Sequence, residues 1–297
     1  VTAVITVPAS LDDQSFEQVL EQLAPHAPET KVIIDARHCA FASPFGLTAL
    51  LTLAQTRVEK PTLLPPEDAD KVTYWARAGF FKYAQELYDV QGNIPRPRSS
   101  GESDVLLEVT PVTKSEDVHG VVERIQTRAA QILTNKLHLE SRATMGFTMA
   151  LSESCQNIVE HAGRGGWVMV QVYQYRKRLG GRFVAVIAVC DAGVGFRHSL
   201  ESGSRRPVSD RWDDGMALET AVLNGVSRFS ETGRGQGLKG IRGYVHRRDG
   251  KFSVRSGTSR IAILPGWDDD VPRRDNLSPF PGAQLQITIP EKVSAQP

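Results

Sequence analysis

Twelve consecutive residues, Gly92-Asn93-Ile94-Pro95-Arg96-Pro97-Arg98-Ser99-Ser100-Gly101-Glu102-Ser103, offer almost nothing that a hydrophobic core can use. Proline, glycine and serine at this density favour an extended, solvated chain. The stretch cuts the 297-residue chain at about one third of its length. It therefore predicts a linker at 92–103 between one domain at 1–91 and a second at 104–290, with a polar, disordered tail at 291–297.

Ahead of the linker, strand and helix signals alternate. Val4-Ile5-Thr6-Val7 reads as a strand, and Asp12 to Leu23 spaces Phe16, Val19, Leu20 and Leu23 along one helical face. Lys31 to Ala36 reads as a buried strand, Leu47 to Ala54 as a helix, Pro61 to Leu64 as a strand and Asp68 to Ala78 as a helix. This alternation predicts a small α/β domain with parallel pairing. Behind the linker the order changes. A strand at Val105 to Val109 precedes helices at Glu116 to Leu133 and Gly146 to Ala162. The β-like runs Val168 to Tyr175, Phe183 to Cys190, Phe252 to Arg255, Arg260 to Leu264 and Gln284 to Ile289 follow, with a helix at Gly215 to Leu223 among them. Two helices and then mostly antiparallel strands predict an α/β sandwich rather than a doubly wound sheet.

Three cysteines, Cys39, Cys155 and Cys190, lie far apart and form no C-x-x-C pair, which argues against a disulfide framework or a thiolate zinc site. The longest apolar run, Phe183 to Cys190, falls well short of the ~20 residues of a membrane helix. The expectation is a cytoplasmic protein with no membrane partner. A net charge of +1 gives the whole molecule no field to attract nucleic acid, so none is expected as a partner.

Chemistry-bearing residues cluster in three places. Within the helix Gly146 to Ala162, Glu153, Asn157 and His161 recur every four residues and share one face. The apolar strand Phe183 to Cys190 ends in Asp191-Ala192-Gly193-Val194-Gly195, which offers a fixed acceptor followed by backbone free of side chains. About forty residues on, Gly233-Arg234-Gly235-Gln236-Gly237-Leu238 leads into a helical stretch from Lys239 to Arg247, so amides and the charges of Arg234 and Lys239 can converge on an anion. Each pattern alone is also an ordinary polar stripe, turn or loop.

In this order, E-x-x-x-N on a helix, D-x-G-x-G after a strand and G-x-G-x-G-L before a helix, the three resemble the ATP-binding fold of gyrase, heat-shock chaperones, histidine kinases and MutL, the GHKL or Bergerat fold. The resemblance covers about residues 104 to 290. It implies that Asp191 accepts from the adenine amino group, with Gly193 and Gly195 beside it, and that Asn157 ligates Mg²⁺. It further implies that Gly233, Arg234, Gly235, Gly237, Leu238 and Lys239 close over the ATP phosphates, with His161 facing them. Glu153 matches the family's general base, one turn from the magnesium ligand. The last strand departs from the pattern, because Pro281-Gly282-Ala283 places Ala283 where threonine is usual.

The first 90 residues resemble a STAS domain, the fold of anti-sigma factor antagonists, through strand Lys31 to Ala36, the loop Phe41-Ala42-Ser43-Pro44-Phe45-Gly46-Leu47 and the segment Pro65 to Phe81. Phosphorylatable members read Asp-Ser-Ser-Gly in that loop. Aligned on Gly46, the acceptor serine is replaced by Pro44, which leaves Ser43, one residue early, as the only hydroxyl there. The implied protein is an ATP- and magnesium-dependent signalling regulator of the anti-sigma serine kinase type, with a STAS-like docking domain that lacks the phosphoacceptor. Its implied partners are a STAS-domain or sigma-pathway protein and a second copy of the chain. An ATP-hydrolysing switch of the MutL or chaperone kind, or a non-catalytic ATP sensor, would use the same residues.

Charge is distributed unevenly. Residues 1–95 carry seven basic and twelve acidic side chains, and residues 96–297 carry 28 and 22. A half of net −5 beside one of net +6 predicts an electrostatic contact between the two, and one for which ATP phosphates could compete. The run Asp268-Asp269-Asp270, in the polar stretch Trp267 to Phe280, reads as a solvated loop.

Overall fold

The computed structural model describes residues 2–96, 106–113, 118–141, 144–145, 148, 151–152, 154–156, 158, 165–202, 212–226 and 236–292. Short parallel strands β1 (Ala3–Thr6), β3 (Val32–Asp35), β5 (Thr62–Leu64) and β6 (Asp89–Val90) form one sheet in the order β1-β3-β5-β6. A two-stranded parallel pair, β2 (Ser10–Leu11) with β4 (Phe41–Ala42), lies beside it. Helices α1 (Phe16–Leu23), α2 (Pro44–Gln55), α3 (Ala69–Arg77) and α4 (Phe80–Leu87) complete the N-terminal segment. The α/β alternation read from sequence holds, and α4, which the sequence reading did not separate from its neighbours, follows α3 after a left-handed glycine, Gly79 at φ 76°.

The second sheet is antiparallel throughout, in the order β12-β11-β10-β13-β9-β8-β7. Its strands are β7 (Leu106–Val112), β8 (Gly166–Tyr175), β9 (Arg182–Asp191), β10 (Lys251–Gly257), β11 (Ser259–Ile263), β12 (Arg273–Arg274) and β13 (Phe280–Pro290). Alternate residues of a strand face opposite ways, and here both faces are covered, one by helices over an apolar core and the other, mixed apolar and charged, by the N-terminal segment. Val168, Val170, Ile187, Val189, Phe252, Val254, Leu285 and Ile287 share one core with Leu133 and Leu137 of α5 (Val118–Leu137) and with Leu151, Cys155 and Ile158. The described positions between 144 and 158 are helical, as the sequence predicts for the second helix. The opposite face presents Trp167, Met169, Ala188 and Cys190 to the N-terminal segment, and these belong to that segment's core.

Helix α2 explains why the two halves merge. Eleven of its twelve residues, Pro44 to Ala54, are buried, and a helix apolar on every side must be covered on every side. Ser43 caps it by accepting from the Gly46 N–H at 3.1 Å, and Pro44 occupies its first turn, where no N–H is needed. One flank lies on β8, β9 and β13. There the Thr48 hydroxyl meets Cys190 Sγ at 3.3 Å, and Trp167 Nε1 donates to Gln55 Oε1 at 3.0 Å. Burial pushes the Cys190 thiol up to about 12, consistent with packing and not with reactivity. Edge-on contacts of Phe16 with Phe280 and of Phe41 with Tyr173 extend the seam.

The expected charge contact is present along this seam. Arg255 is held bidentately by Glu17, Nε to Oε1 at 2.6 Å and NH2 to Oε2 at 3.2 Å. Asp13 receives Lys251 at 3.1 Å and Arg260 at 3.3 Å. All of these side chains are at most 6% exposed. One reading needs correction. The Asp268–Asp270 run is not a solvated loop, because Asp268 and Asp270 turn inward onto Lys251 and Arg260 and only Asp269 stays in water. Lys251, Arg255 and Arg260 turn away from the sheet face on which Asp191 lies.

In the predicted linker, Gly92 to Arg96 is coil, although Ile94 packs on the N-terminal core, and 97–105 lies outside the described residues. The tail is anchored at its start: the Glu291 N–H donates to the Phe183 carbonyl at 2.7 Å, and Lys292 pairs with Glu140. No helix among the described residues is long and apolar enough to cross a membrane.

Candidate functional site

Asp191 ends β9 with the parity of Val189 and Ile187, so its side chain rises on the helix-covered face. Its Oδ1 accepts from the Gly193 N–H at 2.8 Å, and the carboxylate also receives the Ala283 N–H. Burial raises this carboxyl to about 6, against the opposing pull of those two amides. Among the described residues no base pairs with it. A partly buried carboxylate that accepts from two amides retains acceptor capacity for a ligand donor.

The walls around it are backbone. At Gly282 (φ 78°) a Cβ would come within 2.1 Å of the Asp191 carbonyl and 2.6 Å of its Oδ1. At Gly166, paired with Asp191 across the β8–β9 ladder, a Cβ would lie 3.0 Å from Asp191 Cβ and 2.9 Å from Ile158 Cγ2. Gly195 (φ 71°) opens the helix Gly195–Ser202, which the sequence reading did not foresee, and a Cβ there would strike Ser256 Oγ at 2.7 Å. Ser256 is the clip. Its hydroxyl donates to the Gly282 carbonyl at 2.7 Å and accepts from the Phe196 N–H at 3.2 Å, which ties the loop after β9 to the start of β13. We expect Gly282→Ala to destabilise the protein by at least about 2 kcal/mol in urea unfolding, because it adds both a clash and a disfavoured φ. An unchanged midpoint would contradict this geometry.

The structure brings Asp191, Gly193 and Gly195 together as the spacing implied. The third pattern is shifted relative to its sequence reading. A helix spans Gln236–Arg247, so Gly237, Leu238 and Lys239 belong to its first turn and not to a loop before it, and Leu238 packs onto the sheet's core. Glu153, Asn157, His161, Gly233, Arg234 and Gly235 lie outside the described residues. Among the described residues no group of three His, Cys, Asp or Glu side chains is arranged to hold a metal ion.

Sequence reasoning missed Gly166 and Ser256, and it noted Gly282 only as the residue before Ala283, not as one that packs against Asp191. Gly165-Gly166 before β8 was the available signal, as a glycine pair at a strand start invites close approach. Ser256 carried none. Ala283 lacks the hydroxyl of the expected threonine, yet its backbone N–H reaches Asp191 regardless of side chain.

Scanned against models of known protein families, the sequence matches none. No curated protein matches it either.

Proposed function

We propose that this chain is an ATP- and Mg²⁺-binding signalling regulator of the Bergerat-fold kind, whose N-terminal segment is a STAS-like module. The observation that carries the reading is Asp191: a carboxyl at the end of a central antiparallel strand, held by two amides and walled by glycines at which no Cβ fits. Such a carboxylate accepts a hydrogen bond from an exocyclic amine, and glycine walls let a flat base approach it. Asn157 would hold the magnesium ion with phosphate and water oxygens completing its shell, and the 233–239 segment would cover the phosphates. Glu153 would act as general base toward a hydroxyl or water at the terminal phosphate.

A serine kinase acting on another protein is favoured over one acting on its own STAS-like loop. Ser43 is 5% exposed, caps α2, and lies in the seam on the face opposite Asp191. The phosphoacceptor therefore belongs to a partner.

With radiolabelled ATP and a separate STAS-type protein, the wild type is expected to transfer label to a serine of that partner. Glu153→Gln is expected to lower turnover about 100-fold or more while ATP affinity stays within about threefold. Release of inorganic phosphate without transfer would move the reading to the ATPase switch. Equal turnover in wild type and Glu153→Gln would remove the catalytic role.

A further inference from the structure

Strand β13 reaches Asp191 through an irregularity. On β10 the neighbours Ser256 and Gly257 pair with Ala283 and Phe280, so Pro281 and Gly282 are extra residues that bulge out of the ladder. A bulge accommodates a proline that a regular strand would not, and it redirects the backbone beside it. Here it presses Gly282 onto the Asp191 carbonyl and brings the Ala283 N–H to the Asp191 carboxylate.

Ser256 clips one side of the bulge, and Gln284 holds the other. Gln284 is fully buried, and its Nε2 donates to the Pro281 carbonyl at 2.8 Å and to the Asp191 carbonyl at 2.9 Å. Both amide hydrogens thus tie the end of β9 to the bulge. Its Oε1 is buried with no donor among the described residues. An unpaired buried carbonyl destabilises a fold, and an apolar side chain of similar length would avoid that cost. Packing alone therefore does not account for a glutamine here.

The leading end of the bulge is braced from the N-terminal segment. Phe280 belongs to that segment's core and meets Phe16 of α1 edge-on, with ring centroids 5.6 Å apart. Arg255, which pairs with Gln284 across the ladder, donates to the Ser278 carbonyl and lies 5.8 Å from the Phe280 ring centre. Glu17 of α1 holds that guanidinium bidentately. Phe16, Glu17, Arg255, Phe280 and Gln284 are all at most 4% exposed. A close-packed interior of this kind transmits displacement from one contact to the next.

We propose that α1 and Gln284 position the Asp191 site by fixing the bulge from the face opposite the carboxyl. Gln284 and Arg255 are positioning residues, which set where the Ala283 N–H and the Gly282 backbone stand against Asp191. Seating of the N-terminal segment then governs how well Asp191 accepts a ligand, a regulation that rests on the reading of Asp191 as a nucleotide acceptor. When the segment lifts from the sheet, Phe280 and Arg255 lose their brace and the Ala283 N–H withdraws. By linkage, a ligand at Asp191 favours the seated segment.

The test follows the Gly193 and Ala283 amide resonances of the full-length chain by NMR from about pH 8 to 4.5, and ATP affinity by calorimetry at about pH 7.5. In the wild type both resonances follow the Asp191 carboxyl, with a midpoint of about 6. Gln284→Met removes the unpaired carbonyl together with both donors, and Glu17→Met/Arg255→Met strands no charge. Each is expected to displace the Ala283 resonance, to raise the carboxyl's proton affinity about threefold or more, and to weaken ATP about fivefold or more. Should either fail to fold, Phe280→Leu, which drops both ring contacts, takes its place. Tyr74→Phe is the control, because it loses a 2.9 Å contact with Tyr173, seven residues along β8 from Gly166, the partner of Asp191. It is expected to leave all three readings unchanged. A merely structural role would lower the unfolding midpoint of the first two variants and leave the Asp191 titration in place. That result, or an equal displacement in Tyr74→Phe, would overturn the proposal. The titration needs no nucleotide: a wild type that binds no ATP removes the nucleotide reading, and the Asp191 midpoint still decides the positioning role.

Discussion

Glu17→Ala is expected to lower global stability by about 3–5 kcal/mol, among the largest losses available to a single substitution outside the apolar core. Arg255 is 1% exposed and loses its bidentate partner, keeping, among the described residues, the carbonyls of Gly257 and Ser278 and the face of Phe280. Most of the cost is the stranded guanidinium and not the value of the pair, so the double variant Glu17→Met/Arg255→Met should recover most of the loss. Denaturant unfolding of the two single variants and the double variant measures the coupling. A loss under about 1 kcal/mol for Glu17→Ala would mean that water reaches Arg255 and that the seam is not dry. Since one apolar core runs from Ile5 through α2 to Trp167 and Cys190, unfolding of the N-terminal segment and of the sheet should coincide, with no plateau between them.

The same seam sets an acid limit. Burial alone would raise the Asp270 carboxyl, but the hydrogen bond and charge of Arg260, with Lys251 behind it, outweigh burial and hold it well below the usual aspartate range. A lowered folded-state pKa means that the unfolded chain binds the proton first. The stability that Asp270 contributes is therefore complete at neutral pH and is lost as pH falls from about 4 toward its folded value. Unfolding midpoints taken across pH 7 to 2 should drop on the acid side of pH 4, and Asp270→Asn should flatten that drop.

The fold was legible where local pattern and tertiary context agree. The alternation of the first 90 residues gave the parallel sheet, and the apolar runs from Val168 to Tyr175 and from Phe183 to Cys190 gave the central antiparallel ladder. The seam was half legible. Unequal charge in the two halves announced a contact, but its location needed the parity of β10 and β13, which turns Lys251, Arg255 and Gln286 away from the face of Phe252, Val254 and Ile287. Asp268-Asp269-Asp270 shows why. A triple aspartate reads as solvated, and only folding brings Lys251 and Arg260 from 10 to 19 residues away to bury two of the three. For the candidate site, Asp191 and its glycines were legible because their chemistry is contiguous in sequence. The packing of Gly282 on Asp191 and the Ser256 hydroxyl that holds Gly282 were not, since these residues lie 91 and 65 residues further along the chain.

Asp191→Asn should separate stability from ligand binding, and the two should move in opposite directions. At pH 7.5 the native Asp191 carboxylate is ionised at a cost, because burial raises its pKa to about 6 from the ordinary 3.8. A raised folded-state pKa means that the native state takes the proton first as pH falls. The penalty is thus fully present above pH 6, fades between about pH 6 and 4, and is absent below. By linkage it is on the order of 2–3 kcal/mol. Asparagine is nearly isosteric and its Oδ1 can keep the Gly193 N–H, though the Ala283 N–H then shares a poorer acceptor. The net gain expected is about 1–2 kcal/mol at pH 7.5, shrinking to zero or reversing near pH 4. If Asp191 accepts from the adenine amine as proposed, ATP affinity should fall at least about tenfold, because the carboxylate is replaced by an amide that is neutral and a weaker acceptor. Wild-type ATP binding should itself weaken below pH 6 as Asp191 protonates, and the variant should lack that dependence. Thermal unfolding and titration calorimetry on both proteins at pH 7.5 and 4.5 give all four quantities. A purely structural aspartate would behave otherwise: its replacement would destabilise the protein at pH 7.5 and leave nucleotide binding untouched.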